Sequence, residues 1–126
     1  MKPFLLAAIA MTISAGAHAQ AAAEGAKVFN QCRTCHTIGD NAKILIGPPL
    51  NGIVGRPAGT FPGFAYSEAN KNSGLTWDEA TLTSYLPDPK AKIPGTKMAF
   101  PGLKTAQQIA DLIAFLKQYD ADGKKK

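Results

Sequence analysis

The 126-residue sequence predicts an all-α domain built from a few short helices joined by long loops. Three observations carry this. Late in the chain Ile109, Leu112, Ile113 and Leu116 recur at i, i+3, i+4 and i+7, the spacing of one helix face. Nowhere does an apolar–polar alternation run long enough for a strand. Residues 37–67 show neither period and are punctuated by glycines at 39, 47, 52, 55, 59 and 63 and prolines at 48, 49, 57 and 62. A structureless loop that long counts against a compact domain. It becomes sensible when a rigid body other than side chains supplies part of the core.

The first nineteen residues stand apart. Lys2, the apolar run Phe4–Ile13 and the small-x-small triplet Ala17-His18-Ala19 form a secretory leader, cleaved after Ala19 with Ala21 as the fallback. The run is too short to span a bilayer, which takes about 20 residues. The expected product is therefore exported to the periplasm without a membrane span, as a single domain over residues 20–126. Cleavage removes Met1, Met11 and His18, leaving one histidine, His36, one methionine, Met98, and two cysteines, Cys32 and Cys35. It also removes Lys2, so 13 Lys plus Arg face 9 Asp plus Glu, a net of +4. That charge favours acidic partners. No basic run interleaves with aromatics, so nucleic acid is excluded. Lys124-Lys125-Lys126 reads as a frayed, solvated end.

In chain order, residues 21–31 read as a helix with Val28 and Phe29 on its apolar side and Glu24 near its start. Gly25 costs about 1 kcal/mol inside a helix relative to alanine, and is explained if another helix approaches closely there. Residues 68–72 allow one or two helical turns. Thr76 and Glu79 form a capping box that opens a helix carrying Leu82, Tyr85 and Leu86, stopped by Pro87. Asp88 to Gly102 is again loop and holds Met98. Thr105 and Gln108 cap the last helix, with Ala106 and Phe115 widening its stripe and Asp111 and Lys117 off it. Gly123 and the lysine tail end the order.

The chemistry centres on Cys32-Arg33-Thr34-Cys35-His36. Two thiols three apart with an imidazole directly after the second is the attachment pattern of a c-type haem. The spacing sets the sulfurs to add across the two vinyl groups of one porphyrin, and carries the His36 ring under the iron. Zinc needs four N or S ligands, and only three survive cleavage. A redox dithiol of the thioredoxin kind wants a βαβ surround. A structural disulfide is permitted in an exported protein but would close a very small ring and leave His36 unexplained. With haem in place, His36 takes one axial position and Met98, the one remaining thioether, the other. A thioether raises the potential, and filling both positions leaves no open site for oxygen or peroxide. The chemistry is then electron transfer rather than bond-making. Pro48 keeps a carbonyl to accept from the far nitrogen of His36, as ligating histidines require. Buried propionates need partners; Arg56, Tyr66 and Trp77 are candidates, with Arg56 alternatively a surface charge and Trp77 simply core.

On these residues the sequence resembles class I cytochrome c, the mitochondrial type and the bacterial cytochrome c2 group. The resemblance runs through CRTCHTI (32–38), GPPLNGIVGRPAG (47–59), PGFAYSEANKNSGLTW (62–77), YLPDPKAKIPGTKMAFPG (85–102) and DLIAFLK (111–117). It implies the small cytochrome c fold around one covalently bound haem c. Cys32 and Cys35 are then the thioether sites, His36 and Met98 the axial ligands, and the Pro48 carbonyl the acceptor for His36. Arg56, Tyr66, Trp77 and Thr96 match propionate contacts; Asn70 and Tyr85 match polar neighbours of the methionine sulfur, and Phe100 an aromatic that shields the haem edge. Gly25 and Phe29 match the crossing of first and last helices.

The resemblance further implies a diffusible monomeric carrier between a quinol-oxidising cytochrome bc complex and a terminal oxidase or photosynthetic reaction centre with acidic docking faces. Lys43, Lys90, Lys97 and Lys104 form the docking patch, with Arg33 nearby. Four positions that are often lysine in the family are Gln31, Leu45, Ala91 and Thr105 here, which weakens charge steering. The chain is also one residue shorter than the mitochondrial pattern between Phe29 and Cys32, and Pro101 beside Phe100 is unusual. The competing functions are a haem peroxidase, which lacks a second histidine for acid–base work, and the haem subunit of a periplasmic dehydrogenase.

Overall fold

The computed structural model describes residues 2–5, 7–9 and 15–126. The leader expected at 1–19 therefore lies partly outside the described residues. Among these described residues five helices follow in order: α1 (Ala15–Phe29), α2 (Glu68–Lys71), α3 (Glu79–Tyr85), α4 (Pro89–Lys92) and α5 (Ala106–Leu116). Among the described residues there is no strand, only isolated antiparallel bridges at Pro57–Thr76 and Tyr119–Lys125. No described helix is long and apolar enough to cross a membrane.

The frame of the fold is the crossing of α1 and α5. Phe29 is fully buried, and its ring lies 5.1 Å from that of Phe115. The helices meet at Gly25, where a Cβ would fall on the Asp111 carbonyl and within 2.7 Å of the Phe115 Cβ. The close approach expected from this glycine is what the structure contains. Ile109, Leu112, Ile113 and Leu116 are buried on α5, with Phe115. Two expectations on this helix fail. Ala106 is exposed in the first turn. Asp111 is buried at the crossing, and its carboxylate accepts from Gln107 Nε2 at 2.9 Å. The tight approach at Gly25 brings α1 over the Asp111 backbone and covers the side chain.

The caps explain the other helix starts. Ser67 accepts from Asn70 N and opens α2. Thr105 accepts from Gln108 N and opens α5. The cap of α3 is Asp78, not Thr76: its carboxylate accepts from Thr81 N at 2.7 Å, while Thr76 is engaged in the bridge to Pro57. The 88–102 stretch also holds a helix that its prolines concealed. Asp88 caps α4, and Pro89 occupies the first turn, where a missing N–H costs nothing. α1 begins earlier than residue 21 and ends at Phe29, where a tighter turn takes over.

The tail departs most from the sequence reading. It folds back as a small hairpin: Asp120 N donates to Lys124 O at 2.9 Å and Lys126 N to Gln118 O at 2.8 Å. Gly123 is buried with φ 80°, and a Cβ there would fall on the Gly39 carbonyl. Asn51 completes the dock by accepting from Gly39 N at 2.8 Å and donating to Gly39 O at 3.1 Å. The C-terminus thus clasps the loop that carries Pro48.

Gly25→Ala is expected to cost about 2 kcal/mol, as overpacking of a full core does, read as a lowered urea midpoint of the haem-loaded protein. The Thr81 hydrogen bonds hold the Asp78 carboxyl below the usual carboxylate range. Its stabilisation is complete above the unfolded-state value and is lost as pH falls through the lower folded one. Urea midpoints at pH 5 and pH 3 should therefore fall less for Asp78→Asn than for the parent.

Candidate functional site

Cys32, Cys35 and His36 form one turn that continues α1. Cys32 N donates to Phe29 O at 2.8 Å, Cys35 N to Cys32 O at 3.1 Å and His36 N to Cys32 O at 2.8 Å. Both cysteines are free and half-buried. Burial pushes the Cys32 thiol up to about 11, against the pull of the neighbouring Arg33 cation.

His36 is fixed from two sides. Its Nδ1–H donates to the Pro48 carbonyl at 2.7 Å, leaving the Nε2 lone pair free. Gly47 lies against the ring: a Cβ there would stand 2.5 Å from Cε1 and 2.8 Å from Nδ1. Gly47 N in turn donates to Cys35 O at 2.8 Å. Burial lowers the imidazole's proton affinity, more than the Pro48 carbonyl restores it. The ring is thus neutral, as a metal ligand must be. Gly47 was not singled out as a site residue from sequence; its signal was a glycine directly before Pro48-Pro49.

A second group assembles around Met98. The Tyr85 hydroxyl donates to Met98 Sδ at 3.0 Å, and Met98 N donates to Thr96 Oγ1 at 3.2 Å. Burial pushes the Tyr85 phenol up to about 12, so it remains a donor. Trp77 is buried with its ring 4.5 Å from that of Tyr85. Cys32, Met98 and Phe100 are half-buried against the same core cluster.

Arg56 and Tyr66 meet through Phe61. The Arg56 guanidinium lies 5.5 Å from the Phe61 ring centre and Nη1 donates to Asn51 O at 3.4 Å, while Phe61 N donates to the Tyr66 hydroxyl at 2.9 Å. Asn70 Oδ1 is buried without a hydrogen-bond partner, a state that is rare in folded proteins and calls for a partner. Lys43, Lys90, Lys97 and Lys104 are all exposed. Two of them also hold backbone: Lys97 Nζ donates to Ala65 O at 3.3 Å, and Lys104 Nζ to Pro87 O at 2.7 Å and Pro101 O at 3.0 Å.

An imidazole nitrogen held by a carbonyl, a thioether held by a phenol, two thiols three residues apart on one turn and an orphaned buried amide oxygen fit a tethered haem. Gly47→Ala should push the His36 ring off Pro48 and destabilise the haem-loaded protein by about 2 kcal/mol. Thermal melts followed at the haem absorption check it.

The family model for cytochrome c matches residues 22–120. The chain is 60% identical over 112 residues to cytochrome c2 of Blastochloris viridis, covering 89% of this chain and 88% of that one. It is 58% identical over 105 residues to cytochrome c-550 of Bradyrhizobium diazoefficiens, covering 83% and 77%. Among solved structures, cytochrome c2 from Rhodospirillum centenum is similar at TM-score 0.75 and 39% identity over 79% of this chain and 98% of that one. Cytochrome cH from Methylobacterium extorquens is similar at TM-score 0.71 and 49% identity, over 76% and 96%. The chain belongs to the cytochrome c family: it is an electron-transfer protein carrying one covalently bound haem c.

Proposed function

We propose that this chain is a periplasmic one-electron carrier whose haem is tethered through Cys32 and Cys35 and ligated by His36 and Met98. The observation that carries the ligand pair is their preparation: Nδ1–H to Pro48 at 2.7 Å on one, the Tyr85 hydroxyl at 3.0 Å on the other. When bound, the haem supplies a one-electron couple at its iron. The chain's residues set how that couple behaves. The Pro48 carbonyl fixes the His36 ring and raises its donor strength. The Tyr85 hydroxyl draws density from the Met98 sulfur and so favours the more electron-rich reduced state. Thr96, by accepting from Met98 N, holds the backbone that presents the thioether. With both ligands held independently of the oxidation state, little has to move when an electron arrives or leaves.

Arg56, Tyr66, Trp77 and Thr96 are assigned to the propionates, and Asn70 to the methionine side. Support for Asn70 is its buried oxygen without a partner. Arg56 and Tyr66 are supported by their meeting at Phe61 in the wrapping loop. Phe100 is assigned to the haem edge. Residues 1–19 are assigned to the export leader. The partners are a quinol-oxidising cytochrome bc complex as donor and a terminal oxidase or reaction centre as acceptor, meeting the face that holds Lys43, Lys90, Lys97 and Lys104. The relatives named cytochrome c2 and c-550 support a carrier of this kind.

The ligand pair is tested with Met98→Ala, which should remove the iron–sulfur charge-transfer band of the oxidised protein and lower the potential by more than 100 mV, on the order of a hundredfold shift in equilibrium. An unchanged spectrum would refute the assignment. Tyr85→Phe keeps the ring and removes only the donated hydrogen bond. Its potential should fall by a few tens of mV, less than the roughly 59 mV of a tenfold change, with the charge-transfer band retained. Potentiometric titration reads both.

A further inference from the structure

Residues 35–39 and 47–51 run side by side in the same direction, joined at successive levels. Gly47 N donates to Cys35 O at 2.8 Å, His36 Nδ1 to Pro48 O at 2.7 Å and Leu50 N to Thr37 O at 2.9 Å. At the last level the Asn51 side chain accepts from Gly39 N at 2.8 Å and donates to Gly39 O at 3.1 Å. The His36 bond is thus one rung of a ladder. Asn51 is 8% exposed and spends both its polar groups on one residue, and a buried amide so satisfied fixes register. The C-terminal hairpin closes that end of the ladder. A Cβ on Gly123 would fall on the Gly39 carbonyl and stand 2.6 Å from Asn51 Nδ2, and one on Gly52 would stand 2.9 Å from Ala121 Cα. The hairpin keeps its own shape, because the Asp120 carboxylate accepts from Asp122 N at 2.9 Å and Lys124 N at 3.0 Å.

We propose that Asn51 and Gly123 are positioning residues for the redox site: the hairpin clamps the ladder, and the clamp sets the strength of the His36–Pro48 hydrogen bond and with it the reduction potential. This deepens the electron-carrier reading and rests on His36 as a ligand. The rungs share one register, so Pro48 keeps its place at His36 only while residue 51 stays opposite residue 39. Pro48 and Pro49 stiffen the short stretch between, so a shift at Asn51 is carried to the Pro48 carbonyl rather than absorbed. That carbonyl draws on the Nδ1 proton and makes the other ring nitrogen a stronger donor, which favours the oxidised iron. Loosening the clamp weakens the pull and raises the potential. Two other consequences of loosening run the opposite way. Water entering the site stabilises the more highly charged oxidised state. Arg56, whose Nη1 donates to Asn51 O at 3.4 Å, would carry its cation away and disfavour the reduced state. The sign of the change therefore separates positioning from packing.

Gly123→Val unseats the hairpin and keeps every charge. Asn51→Ala cuts the last rung and leaves Gly123 in place. Both are made in the haem-loaded protein and compared with the parent. Potentiometric titration should show each variant shifted towards the reduced state by about threefold, roughly 30 mV at 59 mV per tenfold change. NMR of the reduced proteins should find the His36 Nδ1 proton exchanging with solvent about tenfold faster than in the parent. The iron–sulfur charge-transfer band of the oxidised variants should be retained. Unchanged or lowered potentials beside a reduced melting temperature would overturn the proposal and leave the hairpin a packing element. A raised potential with an unaltered Nδ1 exchange rate would overturn it as well. A reduced parent whose His36 ring protons lack the upfield shift of a haem ligand would remove the ligand reading, and the clamp with it.

Discussion

The hydrogen bond from His36 Nδ1 to the Pro48 carbonyl, 2.7 Å long, is the constraint on which the rest of this structure turns. It joins the end of the first helix to the long loop at a single imidazole. For it to form, the loop must return to the Cys32–His36 turn without a side chain in the way, and Gly47 supplies that gap. Proline adds a carbonyl without a competing N–H. The ring is left neutral and half-buried, with one nitrogen occupied and the other free. Such a nitrogen has the protonation and the orientation a metal ligand needs.

That constraint is supported from further away than the motif suggests. The C-terminal hairpin packs Gly123 against Gly39, and Asn51 ties its side chain to both backbone groups of Gly39. Residues 39 and 51 bracket Pro48. The α1–α5 crossing meanwhile fixes the helix from which the Cys32 turn emerges, because Gly25 lets the backbones touch. The two ends of the chain therefore hold the two halves of the same histidine site. A family built on a tethered cofactor gains from this: the cofactor replaces a large part of the core, and the termini keep the remaining shell closed.

Much of the fold and the site was legible in the residues. The α5 stripe, the breaks at Pro87 and Gly102, and the Gly25 contact follow from period, from proline's missing donor and from a costly glycine that demands a reason. The Cys32–His36 spacing and the scarcity of other ligands named the cofactor chemistry. Where the reading failed, a local signal was overruled by a neighbour. Thr76 is a sound cap in isolation, but it pairs with Pro57, and Asp78 caps instead. Prolines at 89 and 94 read as loop, yet a proline in the first turn of α4 is compatible with helix. Asp111 looked like solvent-facing charge until α1 covered it.

By itself the sequence determined which atoms are available: one imidazole, one thioether and two thiols within residues 20–126, and helices where spacing and caps agree. Those are matters of composition and of neighbours a few residues apart, which local physics governs. Only the tertiary structure decided that Tyr85 reaches Met98 across thirteen residues, that Gly47 lies on His36, and that a tail of three lysines folds back instead of fraying. Each of these depends on segments brought together by the packing of helices elsewhere, and no local pattern encodes a contact whose geometry is set at a distance.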